Sequence, residues 1–150
     1  MLAVAGLSLT AGCDHDEHGN HHDGHDSSES GELEADEYSE GMVKECDGGL
    51  FSVALSSEPG PPAKGVNSWT LEVSDHSGAA VEGATLTVTP TMPEHGHGSQ
   101  SVALVTDKGG GQYWVTPVDL HMAGLWEVEI AIEEGETEDE VHFLFEIAEP

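Results

Sequence analysis

From about residue 50 onward the sequence predicts an all-β fold, an antiparallel β-sandwich of seven short strands of the immunoglobulin type. Three observations carry that prediction. Apolar residues recur with period two in runs of about 5–9 residues, the spacing that puts one strand face in a core and the other in water. The runs are separated by clusters of Gly, Pro and Asp, which favour turns. No stretch shows the 3.6-residue period of an amphipathic helix, and a span of about 100 residues is the usual size of such a sandwich.

The chain has 150 residues, room for one domain and a tail. It opens Met1-Leu-Ala-Val-Ala-Gly-Leu-Ser-Leu-Thr-Ala-Gly-Cys13, an uncharged apolar run that ends in small residues and a cysteine. The run is too short to span a bilayer and reads as the end of a signal peptide. Thr10-Ala11-Gly12-Cys13 resembles the lipobox of bacterial lipoproteins. That resemblance implies that Cys13 carries a lipid and anchors the chain to a membrane of the cell envelope, on its periplasmic side.

Residues 14–45 read as a disordered tether. The stretch begins Asp14-His-Asp-Glu-His-Gly-Asn-His-His-Asp-Gly-His25 and continues in Ser, Glu and Asp. So few apolar groups cannot offset the entropy of ordering the backbone. His15, His18, His21, His22 and His25 lie among carboxylates, a composition suited to loose binding of divalent ions.

The sandwich domain is assigned to residues 46–150. Leu50–Leu55 is a short strand, and Glu58-Pro-Gly-Pro-Pro62 is a loop, because proline lacks the donor a sheet needs. In Val66–Ser74, Trp69, Leu71 and Val73 share one face. In the next strand Ala84, Leu86 and Val88 point inward while Thr85, Thr87 and Thr89 point out. Ser101–Thr106 and Gln112–Pro117 are strands on either side of an Asp107–Gly111 turn. Gly124–Ile132 follows, with Trp126, Val128, Ile130 and Ile132 inward. Glu133–Glu140 reads as an acidic turn, and a last strand buries Val141, Phe143, Phe145 and Ile147. Trp69, Trp114 and Trp126 are the bulky fillers of the core.

Charge excludes some partners and leaves others. The chain has three Lys, no Arg and thirty Asp plus Glu, for a net charge of −27. Affinity for nucleic acid comes from Lys and Arg that neutralise phosphates, so nucleic-acid binding is excluded. A cationic partner suits this surface, and adaptation to high salt would produce the same imbalance. No activated nucleophile, catalytic carboxylate pair or phosphate-binding glycine loop is present in a fitting context, so no enzymatic activity is expected.

Chemistry is concentrated in Met92-Pro93-Glu94-His95-Gly96-His97-Gly98, between two predicted strands. Thioether and imidazole are soft and borderline donors that suit copper. Gly96 and Gly98 free the backbone beside each His, and Pro93 stiffens the entry. The competing reading is a solvated hairpin tip with Met92 packed into the core. Cys46 has three readings: a small buried hydrophobe, a bridge to Cys13 if that residue is unlipidated, or a thiolate ligand. His76 and His142 are read as surface residues without a role.

Ordered blocks along the chain resemble the YtkA-like family. They are Gly65-Val-Asn-Ser-Trp-Thr-Leu-Glu-Val-Ser-Asp75, Gly78 with Val81 and Gly83-Ala84, Met92-Pro-Glu-His-Gly-His97, Gly111-Gln-Tyr113 and His121-Met-Ala-Gly-Leu-Trp-Glu-Val128. That family is related to the FixH group and shares the immunoglobulin-like architecture of CopC-type copper-binding domains. The resemblance covers roughly Leu50 to Ile147 and implies an exported or membrane-tethered sandwich associated with metal transport or copper handling. It places a Met-Pro-x-His-x-His block on Met92, His95 and His97, and a Met-x-Gly-x-Trp block on Met122, Gly124 and Trp126.

Loops at one end of a sandwich cluster, so ligands from the two blocks can converge if both lie at the same end. The expected metal site is Met92, His95, His97 and Met122, with His121 as an alternative ligand. Two nitrogen and two sulfur donors suit Cu(I), and the imidazoles also suit Cu(II). Zinc, which prefers Cys or carboxylate beside His, is less suited. Met122 has a competing reading as a core filler, and His121, out of phase with it, as a rim residue. The function expected is an envelope-tethered copper-binding protein that buffers or delivers the ion. The alternative is a non-catalytic adaptor of a metal-transport or oxidase-assembly complex.

Overall fold

In a computed structural model, which describes residues 31–150, the compact unit Glu32–Pro150 is built from strands alone. The strands are β1 (Met42–Glu45), β2 (Phe51–Glu58), β3 (Gly65–Asp75), β4 (Thr85–Met92), β5 (His97–Gly98), β6 (Leu104–Gly109), β7 (Gln112–Leu120), β8 (Gly124–Glu134) and β9 (Thr137–Ile147). They form two antiparallel sheets, ordered β1-β2-β3-β7-β6 and β5-β4-β8-β9. Without β1 and β5, the remaining seven divide four and three. Their order is that of a constant-type immunoglobulin sandwich, first, second, fifth and fourth strands facing third, sixth and seventh. Among the described residues there is no helix long and apolar enough to cross a membrane.

Among the described residues nine strands form where seven were expected, and both additions are short. β1 lies before residue 46, the start expected for the sandwich, and pairs in register with β2 from Met42↔Leu55 to Glu45↔Ser52. Asp36 and Tyr38 also belong to the packed unit: the Asp36 amide donates to the Leu144 carbonyl, and the Tyr38 ring meets Phe145 edge-on. The acidic turn expected over Glu133–Glu140 is instead mostly ladder. β8 and β9 pair out to Glu134↔Thr137, because backbone bonding at a solvated hairpin end needs no apolar side chains. Cys13 and the five tail histidines lie outside the described residues.

Alternation places the core where the pattern predicted. Trp69, Leu71 and Val73 from β3 meet Trp126, Val128, Ile130 and Ile132 from β8, with Phe143, Phe145 and Ile147 from β9, all buried. Trp114 departs from the expectation: it lies on the outer face of β7, 40% exposed, with Lys108 over its ring. Tyr113, its neighbour, points inward and donates to the Val81 carbonyl while accepting from the Ala84 amide. Those two bonds fasten the link between β3 and β4 to β7, the neighbour of β3 in the first sheet.

Cys46 is buried and unpaired. Burial first, then the nearby charges of Asp139, Asp47 and Glu45, push its thiol up to about 12. At neutral pH with no ion bound it is a protonated small hydrophobe.

The turn after β1 is held by Asp139 on β9. Its carboxylate accepts hydrogen bonds from the amides of Gly48, Leu50 and Glu140. Burial alone would raise the Asp139 pKa, but the three donors together outweigh it and hold the pKa below the ordinary value. A depressed folded-state pKa stabilises fully above the unfolded value, about 3.9, and the contribution is lost as pH falls through the folded value. Asp139→Asn is therefore expected to lower the thermal midpoint at neutral pH and to lose this disadvantage as pH drops below about 4. The remaining carboxylates titrate in both chains and cancel in the difference. A gap between native and variant midpoints that stays constant into acid would contradict the role given to Asp139.

Candidate metal centre

Two sequence blocks reach one end of the sandwich. β4 ends at Met92 and turns through Pro93–Gly96 into β5, with Met92↔His97 and Thr91↔Gly98 in register. The Met92 carbonyl accepts from the amides of both His95 and Gly96, and Gly96 takes a φ of 67° that L residues resist. This tight hairpin lifts both imidazoles into solvent. At the same pole β7 ends at Leu120, and His121, Met122 and Ala123 lead into β8.

Trp126 organises the junction. Its buried indole donates through Nε1 to the Met122 carbonyl at 2.9 Å, fixing the path of the β7–β8 link. The rings of His97 and His121 stand edge-on to it, with centroids 6.5 and 5.4 Å away. His97 is central, its centroid 5.7 Å from that of His95 and 5.8 Å from that of His121. Two imidazoles that share one ion through metal–nitrogen bonds of about 2.0 Å have centroids roughly 5–6 Å apart. Each neighbouring pair has about the centroid spacing an ion would need, but the ring nitrogens of the three do not form a group within 4.8 Å of one another, so one ion held by all three needs the hairpin to close further.

His121 Nδ1 is buried and has no hydrogen-bond partner among the described residues. Leaving such an atom unsatisfied costs about 1–3 kcal/mol, a cost that a bound ion or water removes.

The two methionines are placed differently. Met122 is at the surface, 36% exposed, beside His121. Met92 is fully buried, and its terminal methyl lies 2.8 Å from where a β-carbon on Gly124 would sit. Strand parity explains this: Met92 follows Leu86, Val88 and Pro90 on the inward face of β4. Met92 thus forms the floor of the pole, as in the reading that packs it into the core, while His95, His97, His121 and Met122 form its accessible rim. His121 joins the cluster more fully than its phase in the sequence suggested.

A second cluster sits about midway along β9, where His142 pairs with Glu129 of β8 and the turn after β1 reaches the second sheet. Single ligating atoms from Asp47, Glu140 and His142 lie within 4.8 Å of one another, so His142 is not the isolated surface residue expected.

An immunoglobulin-type sandwich with an imidazole, thioether and indole pole is the class that fold and geometry define. The family model described as YtkA-like matches residues 50–131, more than half of the chain, and the chain belongs to that family. No curated protein and no solved structure matches it.

Proposed function

We propose that this protein is a metal-binding protein of the cell envelope, facing the periplasm, that takes copper at the His95, His97, His121 pole and buffers it or passes it on. The observation that carries the reading is the row of three imidazoles against Trp126, with a ring nitrogen of His121 unpartnered among the described residues and the exposed Met122 next to His121 in the chain. Imidazole with thioether favours Cu(I), and the imidazoles alone serve Cu(II). In this reading His95, His97 and His121 supply nitrogen, and Met122 supplies sulfur. Met92 supports the hairpin from below and becomes a ligand only if its side chain leaves the core. Trp126 excludes water from one side.

Exposure of His95, His97 and Met122 fits exchange between proteins, since an incoming donor can displace one ligand at a time. The recipient or supplier is then a metal-transport or oxidase-assembly protein. His15, His18, His21, His22 and His25 would gather ions near the domain, and a lipid on Cys13 would hold it at the membrane. No catalytic step is assigned. A second reading, a non-catalytic adaptor in such a complex, is favoured by the exposed apolar side chains of Val102 and Leu104 beside the hairpin.

The test is an anaerobic Cu(I) titration of the full chain with its five tail histidines replaced by alanine, followed by tryptophan emission and thermal midpoint. One binding event should quench Trp126 and raise the midpoint, because a ligand that prefers the native state stabilises it. Titration with neither change would leave the adaptor reading standing instead.

A further inference from the structure

We propose that Asp47, Glu140 and His142 form a second cation site, independent of the copper pole, for a borderline divalent ion of the Zn(II) class. Its position comes from the sheet register. β3 begins at Gly65 opposite Leu120, at the copper pole, and ends at Asp75 opposite Phe51. The turn carrying Asp47 therefore lies at the far end of the first sheet. Glu140 and His142 share the outer face of β9 in the second sheet.

The geometry of His142 argues for an ion rather than a simple solvated ring. Its Nε2 lies 3.7 Å from Asp47 Oδ2 and 3.7 Å from Glu140 Oε1, too far for hydrogen bonds. On the other edge of the ring Nδ1 is buried, lacks a hydrogen-bond partner among the described residues and faces Glu127 Oε1 at 3.4 Å. Nε2 therefore faces Asp47 and Glu140, and a cation among these three donors, a metal ion or a second ring proton, offsets the repulsion between the carboxylates. Donors about 2.0–2.2 Å from Zn(II) are separated by roughly 3–3.5 Å in a tetrahedral site, so each imidazole–carboxylate pair needs to close by a few tenths of an ångström. Glu127 then plays the outer carboxylate that orients a metal-bound imidazole.

The surroundings hold this arrangement in place without neutralising it. The Asp47 amide donates to the Glu140 carbonyl at 2.8 Å, and Lys44 Nζ donates to the His142 carbonyl at 2.7 Å. The Lys44 charge is spent on Asp36, and among the described residues no lysine pairs with Asp47 or Glu140. A cleft of about 520 Å³ opens beside the cluster, sharing Asp47 and Glu140 with Glu133, Glu138 and Asp139. Its field concentrates cations at the entrance. One nitrogen with carboxylate oxygens matches Zn(II) better than Cu(I), which separates the two sites by chemistry. An ion here also ties the β1–β2 turn to β9, joining the sheets at an edge.

Zn(II) is the probe. In the full chain with tail histidines and His95, His97 and His121 all changed to alanine, Zn(II) should raise the thermal midpoint and shift the His142 Nε2 resonance in a histidine-ring nitrogen spectrum. Asp47→Asn should abolish both responses, His142→Gln should abolish the midpoint rise, and Glu127→Gln should weaken binding by about 10-fold or more. The metal-free midpoints show whether each variant folds. An unmoved His142 resonance, or a midpoint rise that survives His142→Gln, would overturn the proposal. Neither outcome bears on the copper pole, which is absent from this background.

Discussion

A chain carrying His95→Ala, His97→Ala and His121→Ala is expected to bind Cu(I) at the sandwich at least about 100-fold more weakly than the native domain, with its fold retained. Retention follows from exposure. His95 and His97 stand on a solvated hairpin whose turn is closed by backbone bonds to the Met92 carbonyl. The buried His121 Nδ1 makes no bond whose loss would cost stability. Competition against a chelator of known affinity reads the loss, with the tail histidines removed so that their loose binding does not mask it. His97→Ala alone should cost more than His95→Ala alone, because His97 is the ring that neighbours both others. Equal affinity in the native and triple-variant domains would move the site elsewhere.

Trp126→Ala should produce the largest loss of stability, about 3–5 kcal/mol, as large core truncations of aromatic residues do. The indole is fully buried, carries the bond to the Met122 carbonyl and backs two imidazoles. Trp126→Phe separates these roles. It keeps most of the packing, frees the Met122 carbonyl and lets the β7–β8 link drift, so copper affinity should fall while most stability remains. Chemical denaturation and the same competition titration measure the two effects side by side. A phenylalanine variant that keeps full copper affinity would show that the indole bond does not position the rim.

Much of this was legible in the sequence because a sandwich writes its core in period two. Trp69-x-Leu71-x-Val73, Trp126-x-Val128-x-Ile130-x-Ile132 and Val141-x-Phe143-x-Phe145-x-Ile147 could be assigned to the buried face by parity, and all are buried. β1 was hidden because Met42–Glu45 is half exposed and continues an acidic tract. β5 has only two residues and leaves no pattern. β6 begins at Leu104 rather than Ser101, and its apolar Leu104 faces solvent, against the usual sense of the signal.

The candidate site was legible in its location and less so in its members. The two blocks were expected at one end of the fold, and Trp126 brings them there through the Met122 carbonyl. Parity also predicts Met92 inward once β4 is extended to its end, yet ligand chemistry alone made it attractive. His121 lies in a link, where strand parity says nothing about direction. The His142 cluster had no signal at all: Asp47 comes from a turn, Glu127 from β8 and Glu140 from β9, and only the folded register makes them neighbours.

The most direct test of copper binding at the pole is an X-ray absorption spectrum of the Cu(I)-loaded chain with its tail histidines removed. Scattering from imidazole rings together with a sulfur neighbour, the sulfur lost on Met122→Ala and retained on Cys46→Ala, is the predicted result. A spectrum made of oxygen donors alone, unchanged by His97→Ala, would contradict it.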